Sequence, residues 1–324
     1  MTPFRRSLIA ALALTSLIGS AAQAAWPDQP VHIVVPYSPG GSSDVIARAI
    51  GDELGKVLGQ PVIVDNRAGA GSMIGTQYVA QDAGNGYTLL LADVPFTIVP
   101  ALYQEKARYD AEKNFAPIAL LGVAPTYLFV NEKSPIRSVP ELVKKAKADP
   151  GALSIGSGGN GSLTHLMAAL FMINSGAKLT HIPYKGAAAS VTDLAAGQID
   201  ASFTTMASAT ALLQAGKLRP LAVSSEQRQK DTPAVPTFGE AGVPRMAVES
   251  WWGLMAPAGT PKDVQATLTK AMAKVMETTV VKARMAAVGV AAPADGSPAA
   301  LQKIVKADLV RWQDVIRKAD IKID

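Results

Sequence analysis

Val31 to Asp44 reads VHIVVPYSPGGSSD, and Leu153 to His165 reads LSIGSGGNGSLTH. Each opens on a short apolar run, turns through glycines and serines, and enters a helical pattern. From Ser42 to Leu58 the apolar positions Ile46, Ala49, Ile50, Leu54, Val57 and Leu58 share one helix face. Ser42 or Ser43 is the expected cap, and Gly59 with Pro61 ends the helix. Val62 to Asp65 and Tyr87 to Ala92 read as the next strands, with a helix near Met73 to Gln81 between them. The order is βαβαβ, the grammar of a parallel sheet covered by helices.

The same grammar returns after Leu153: strands at 153–156, 179–182 and 199–203, helices at 163–174 and 187–196. Between the two halves lies the apolar run Pro117 to Val130, broken at Gly122 and Pro125. Further strands are expected at 218–223 and 251–256. The closing helices start at Thr260-Pro261 and Ser297-Pro298. The expected fold class is therefore α/β, with two doubly wound lobes joined by two crossover strands. The first lobe takes residues 25–123 and 250–324 and the second takes 124–249, with a ligand cleft between them. Periodicity alone leaves one continuous large sheet as an alternative.

Arg5-Arg6, the apolar run Leu8 to Ile18 and Ala22-Gln23-Ala24 follow the order of a signal peptide, placed at residues 1–24. The apolar run is about half the roughly 20 residues a membrane-spanning helix needs. Export to the periplasm is the expectation. The chain of 324 residues has no cysteine, so disulfides, zinc–thiolate sites and cysteine nucleophiles are excluded. Its net charge of +5 is scattered and aromatics make up only 6%, which argues against a nucleic-acid surface.

Three glycine-rich turns carry the candidate chemistry: Pro36 to Asp44, Gly156 to His165 and Tyr184 to Ser190. In open parallel sheets, ligands sit at the carboxyl ends of strands, where helix N-termini offer free amides to an anion. Gly156, Gly158 and Gly161 spell a dinucleotide-like GxGxxG, but no acid stands near the next strand end, and no cofactor is expected. No GxSxG elbow occurs. The three histidines, His32, His165 and His181, do not form a zinc pattern, so no metal is expected. Thr97, Ser157, Ser162, Thr164, Thr204 and Thr205 place hydroxyls near strand ends or helix starts. His165 and Lys185 could meet a ligand acid group, and Trp251 and Trp252 lie at a crossover.

The runs WPDQPVHIVVPYSPGGSSD, VIVDNRAGAGSMIG, GYTLLLA, HIPYKG, AAGQID and SWWGLMAPAGTP resemble the tripartite tricarboxylate transporter substrate-binding (Bug) family, over nearly the whole mature chain. The resemblance implies a type II periplasmic binding protein that captures a small carboxylate and is not an enzyme. It implies a first-lobe contact set of Tyr37, Ser38, Gly40, Gly41 and Ser42. From the second lobe it implies Ser157, Gly158, Ser162, Thr164 and His165, with Lys185, Gly186, Ala187 and Thr204 beside them. Its partners would be the small and large integral membrane subunits of the transporter. The protein itself is expected to be a monomer. The chain departs from the pattern after GYTLLLA, where Asp93 replaces a small polar residue; an inward acid there would disfavour a second carboxylate or bind an amino group. Two further readings are a ligand-presenting partner of a sensor kinase and an exported hydrolase or isomerase.

Overall fold

A computed structural model describes residues 26–184 and 186–322, so the expected signal peptide at 1–24 and Lys185 lie outside the described residues. Nine strands form one hydrogen-bonded series in the order β2-β1-β3-β9-β4-β7-β5-β6, with β8 also on β4. They are β1 (Val31–Val35), β2 (Val62–Asn66), β3 (Thr88–Asp93), β4 (Phe115–Asn131), β5 (Ser154–Ser157), β6 (Thr180–Pro183), β7 (Ala201–Thr205), β8 (Leu218–Val223) and β9 (Glu249–Pro257). β1, β2 and β3 run parallel, as do β5, β6 and β7. The two α/β halves of the expected fold are both present, and β4 makes their strands continuous.

The near-unbroken apolar reading of β1 follows from burial on both faces. Val31, Ile33 and Val35 pack with Ile46, Ile50 and Leu54 of the helix Ser42–Leu58, while Val34 faces the other way into a second cluster. The last helix, Pro298–Lys318, lies on β4 and on the first-half helix Pro95–Tyr103, and also touches Leu163–Ser175 of the second half.

The apolar run broken at Gly122 and Pro125 is a single strand of 17 residues. Its first part pairs with β9 through Pro125↔Glu249, and its remainder pairs with β7 and β8 from Thr126 and Tyr127 onward. The return crossover is tied to it by Ser224. The Ser224 hydroxyl accepts from the Thr126 N–H (2.9 Å) and donates to the Val248 carbonyl (2.6 Å). The Ser224 N–H donates to the Thr126 carbonyl, and the Val248 N–H to the Ser224 carbonyl. One buried serine thus holds both connections between the halves at a single place.

Two expected caps differ. The helix Ser42–Leu58 has Gly41, which has no side chain, at its cap position, and the Ser43 hydroxyl bonds Asp93 and Trp252. The helix Lys262–Glu277 has Pro261 there, and the Thr260 hydroxyl is buried without a partner.

Candidate functional site

The register brings the carboxyl ends of the two strand sets toward each other. Asp93, the last residue of β3, lies opposite Trp252 of β9, which lies opposite Gly122 of β4. Thr205, the last residue of β7, lies opposite Thr126 of the same strand. β3 runs with β4 and β7 runs against it, so their ends point together. The four residue steps from Gly122 to Thr126 span about 13 Å at roughly 3.3 Å per residue. β1 runs parallel to β3, and β5 and β6 parallel to β7, so the turns that follow them leave the sheet toward the same region; in open α/β sheets ligands sit at such carboxyl ends.

On the first side, Gly40 has φ +95° and its N–H donates to Asp44 Oδ2 at 3.0 Å. Asp44 is buried. That burial raises its pKa, but hydrogen bonds from Arg48, the Gly40 N–H and Asn66 outweigh it and hold the carboxyl below its ordinary value. This acid stabilises the turn from beneath. Tyr37 is half-buried, Ser38 and Gly41 are exposed, and Ser42 is half-buried. A Cβ on either Gly40 or Gly41 would have no neighbour within 4 Å. The helix Ser42–Leu58 thus begins with N–H groups that no side chain caps.

On the second side, two turns are joined. The Tyr184 N–H donates to the Ser157 carbonyl (3.1 Å) and the Gly186 N–H to the Gly158 carbonyl (3.2 Å). Gly186, at φ +114°, precedes the helix Ala187–Ala196 without a side-chain cap, and Thr205 likewise precedes Met206–Gln214. A Cβ on Gly186 would also meet nothing within 4 Å. Gly186 and Ala187 therefore repeat on this side what Gly41 and Ser42 do on the other.

Several expected hydroxyls are engaged inside the turns. Ser157 is buried and pairs with His181 Nε2 at 2.6 Å. Ser162 caps the helix Leu163–Ser175, and Thr164 accepts from the Gly158 N–H at 2.8 Å. Thr97 is 0% exposed and its hydroxyl donates to the Val94 carbonyl. Thr204 is buried at the end of β7 with an unpartnered hydroxyl. His165 and His181 stack with ring centroids 3.9 Å apart. Burial and then His165 bring the His181 pKa down to about 4, and burial lowers that of His165, so both are neutral near pH 7. The Gly161 N–H donates to His165 Nδ1, which puts the His165 proton on Nε2 as a donor.

Asp93, Ser43 and Trp252, outside the expected contact set, join Tyr37 on the first side. Tyr37 OH donates to Asp93 Oδ1 at 2.6 Å, Ser43 Oγ donates to Asp93 Oδ2 at 3.3 Å, and Trp252 Nε1 donates to Ser43 Oγ at 3.0 Å. Ser72 and Thr76 add buried hydroxyls with no partner. Both stand in or beside the run AGAGSMIG, whose glycines were the signal that could have pointed to them. Among the described residues no group of three His, Asp or Glu side chains is placed to hold a metal.

The model of a family described as "Tripartite tricarboxylate transporter family receptor" matches residues 46–321. Protein BugT of Bordetella pertussis is 34% identical over 304 residues, 92% of this chain and 91% of that protein. A solved structure of Rpa4515 from R. palustris with adipate is 33% identical, with a TM-score of 0.78 over 92% of this chain and 99% of that one. MatC from Rhodopseudomonas palustris, with bound malate, is 30% identical, with a TM-score of 0.76 over 90% and 100%.

Proposed function

Since this chain belongs to the tripartite tricarboxylate transporter receptor family, we propose that it captures a small carboxylate in the crevice between its two halves and delivers it to integral membrane subunits. The family is one of periplasmic solute-binding receptors and not of enzymes. Two relatives of known structure hold adipate and malate, which supports a carboxylate as the ligand class here.

One observation carries the reading: helix N-termini without side-chain caps stand at Gly41 and Gly186, after strands that run parallel to β3 and β7, whose ends point at each other. Free amides and aligned helix dipoles favour an anion without an arginine. The neutral His165 Nε2–H adds a donor on the second side. The two halves would act as lobes, residues 25–123 with 250–324 and residues 124–249, closing by bending where β4 and the return crossover meet at Ser224. The signal peptide reading of residues 1–24 fits a periplasmic receptor, and Lys185 would add a cation beside Gly186.

A thermal-shift screen of mono-, di- and tricarboxylates, aromatic acids and acidic amino acids tests this. An acid at a hundredfold excess over its Kd is expected to stabilise the protein by about 2.7 kcal/mol. A panel in which no acid moves the transition would end the proposal.

A further inference from the structure

We propose that Asp93 selects ligands that carry a protonated amino group as well as a carboxylate. The inference rests on the crevice being a carboxylate site and goes further, to the chemistry of the ligand's other end.

Asp93 ends β3, opposite Trp252 of β9, at the strand end that faces the proposed crevice. Its carboxyl is fixed from three elements. Tyr37 reaches it from the turn after β1, Ser43 from the first turn of the helix Ser42–Leu58, and the Trp252 indole holds Ser43 in turn. An ionised carboxylate offers about four acceptor positions, and these two hydroxyls fill one on each oxygen. The remaining positions have no cation: among the described residues no Lys, Arg or His forms an ion pair with Asp93. An acid positioned this firmly, at a strand end facing the proposed crevice and without a positive partner, is complementary to a cationic donor arriving with the ligand.

The electrostatics of the crevice are therefore divided. The bare amides at Gly41 and Gly186 attract a carboxylate, while Asp93 repels a second one and attracts an ammonium. Burial, opposed by the hydrogen bonds from Tyr37 and Ser43, pushes Asp93 up to about 7. The same environment raises Tyr37, through its burial first and then the neighbouring Asp93, and keeps that phenol a neutral donor. At pH 8 the Asp93 carboxyl is largely ionised, and discrimination between an ammonium and a second carboxylate is strongest there.

Isothermal titration of the whole mature protein at pH 8 with matched pairs tests the inference: aspartate against succinate, glutamate against glutarate, and phenylalanine against 3-phenylpropionate. The parent is expected to favour the amino member of the best-binding pair by at least tenfold. Asp93→Asn keeps the shape and the Tyr37 bond but removes the charge. It is expected to lose that preference, and to bind the deaminated member at least as tightly as the parent does. Asp93→Ser serves as the second variant if the amide disturbs folding. A parent that prefers the deaminated member, with an order unchanged in both variants, overturns the role of Asp93 while leaving the carboxylate site standing. No binding of any acid, here or in the wider screen, removes both.

Discussion

A Gly41→Val protein is expected to fold as the parent does and to bind its acid at least a hundredfold more weakly, as read by titration calorimetry beside urea unfolding. Gly41 sits at φ −80° and ψ 171°, extended backbone that valine adopts readily. No atom lies within 4 Å of where its Cβ would stand, so the substitution meets no protein neighbour. Valine is a poorer cap-position residue than glycine, which costs about 1 kcal/mol at most. Neither backbone angle nor packing thus accounts for a glycine here, whereas an occupant in the open space does. The branched side chain would stand between that occupant and the amides of the Ser42–Leu58 helix. Losing charge-assisted hydrogen bonds worth about 1.5–3 kcal/mol each corresponds to a hundredfold or more. Parent-like affinity would exclude the first turn from the site.

The second large effect concerns stability. Trp251 is 1% exposed, and its Nε1 donates to Asp308 Oδ2 at 2.8 Å; Asp308 is itself 2% exposed and also accepts from Arg311 at 2.6 Å. Burial raises the Asp308 pKa, and the bonds from Trp251 and Arg311 work against that. The indole therefore fills the core between β9 and the helix Pro298–Lys318 and also solvates a buried acid. Trp251→Ala is expected to lower the free energy of unfolding in urea by about 4–8 kcal/mol, a cavity cost of about 3–5 plus about 1–3 for an underbonded acid. Trp251→Phe keeps most of the volume and should lose about 1–3 kcal/mol. If both variants unfolded like the parent, the Trp251–Asp308 contact would have no part in holding β9 to that helix.

Much of this molecule was legible before its structure. The helices Ser42–Leu58 and Ala187–Ala196 follow from apolar spacing and terminal glycines, and the alternation of strand and helix gave the α/β class. β4 was harder. Gly122 and Pro125 read as breaks, yet the strand runs through both because it changes partners there and no local pattern records which strands flank it. The helix Val139–Ala148 went unread although its signal was present: Ser138 accepts from the Glu141 N–H, and Glu141 reaches back to the Arg137 N–H.

In the site, the turns were visible and the directions of their side chains were not. Ser43 was an expected cap, but its hydroxyl joins Asp93, fifty positions away, and Trp252, 209 away. Ser157, Ser162 and Thr164 satisfy their own turn, a choice settled by His181 and the backbone around them. Spacing reveals where a polar group enters the neighbourhood. Which partner it reaches depends on distant segments.

The bare helix ends also bear on how the molecule behaves without cargo. Swinging the halves together would squeeze water from amides that have nothing else to donate to, at about 1–3 kcal/mol for each one stranded. If the halves close as proposed, the empty protein would rest with them apart because shutting on nothing is uphill, and no separate catch would be required. Under the proposed function, an acid that accepts from both rims would remove that cost, and the outline of the closed molecule would then report that it is loaded.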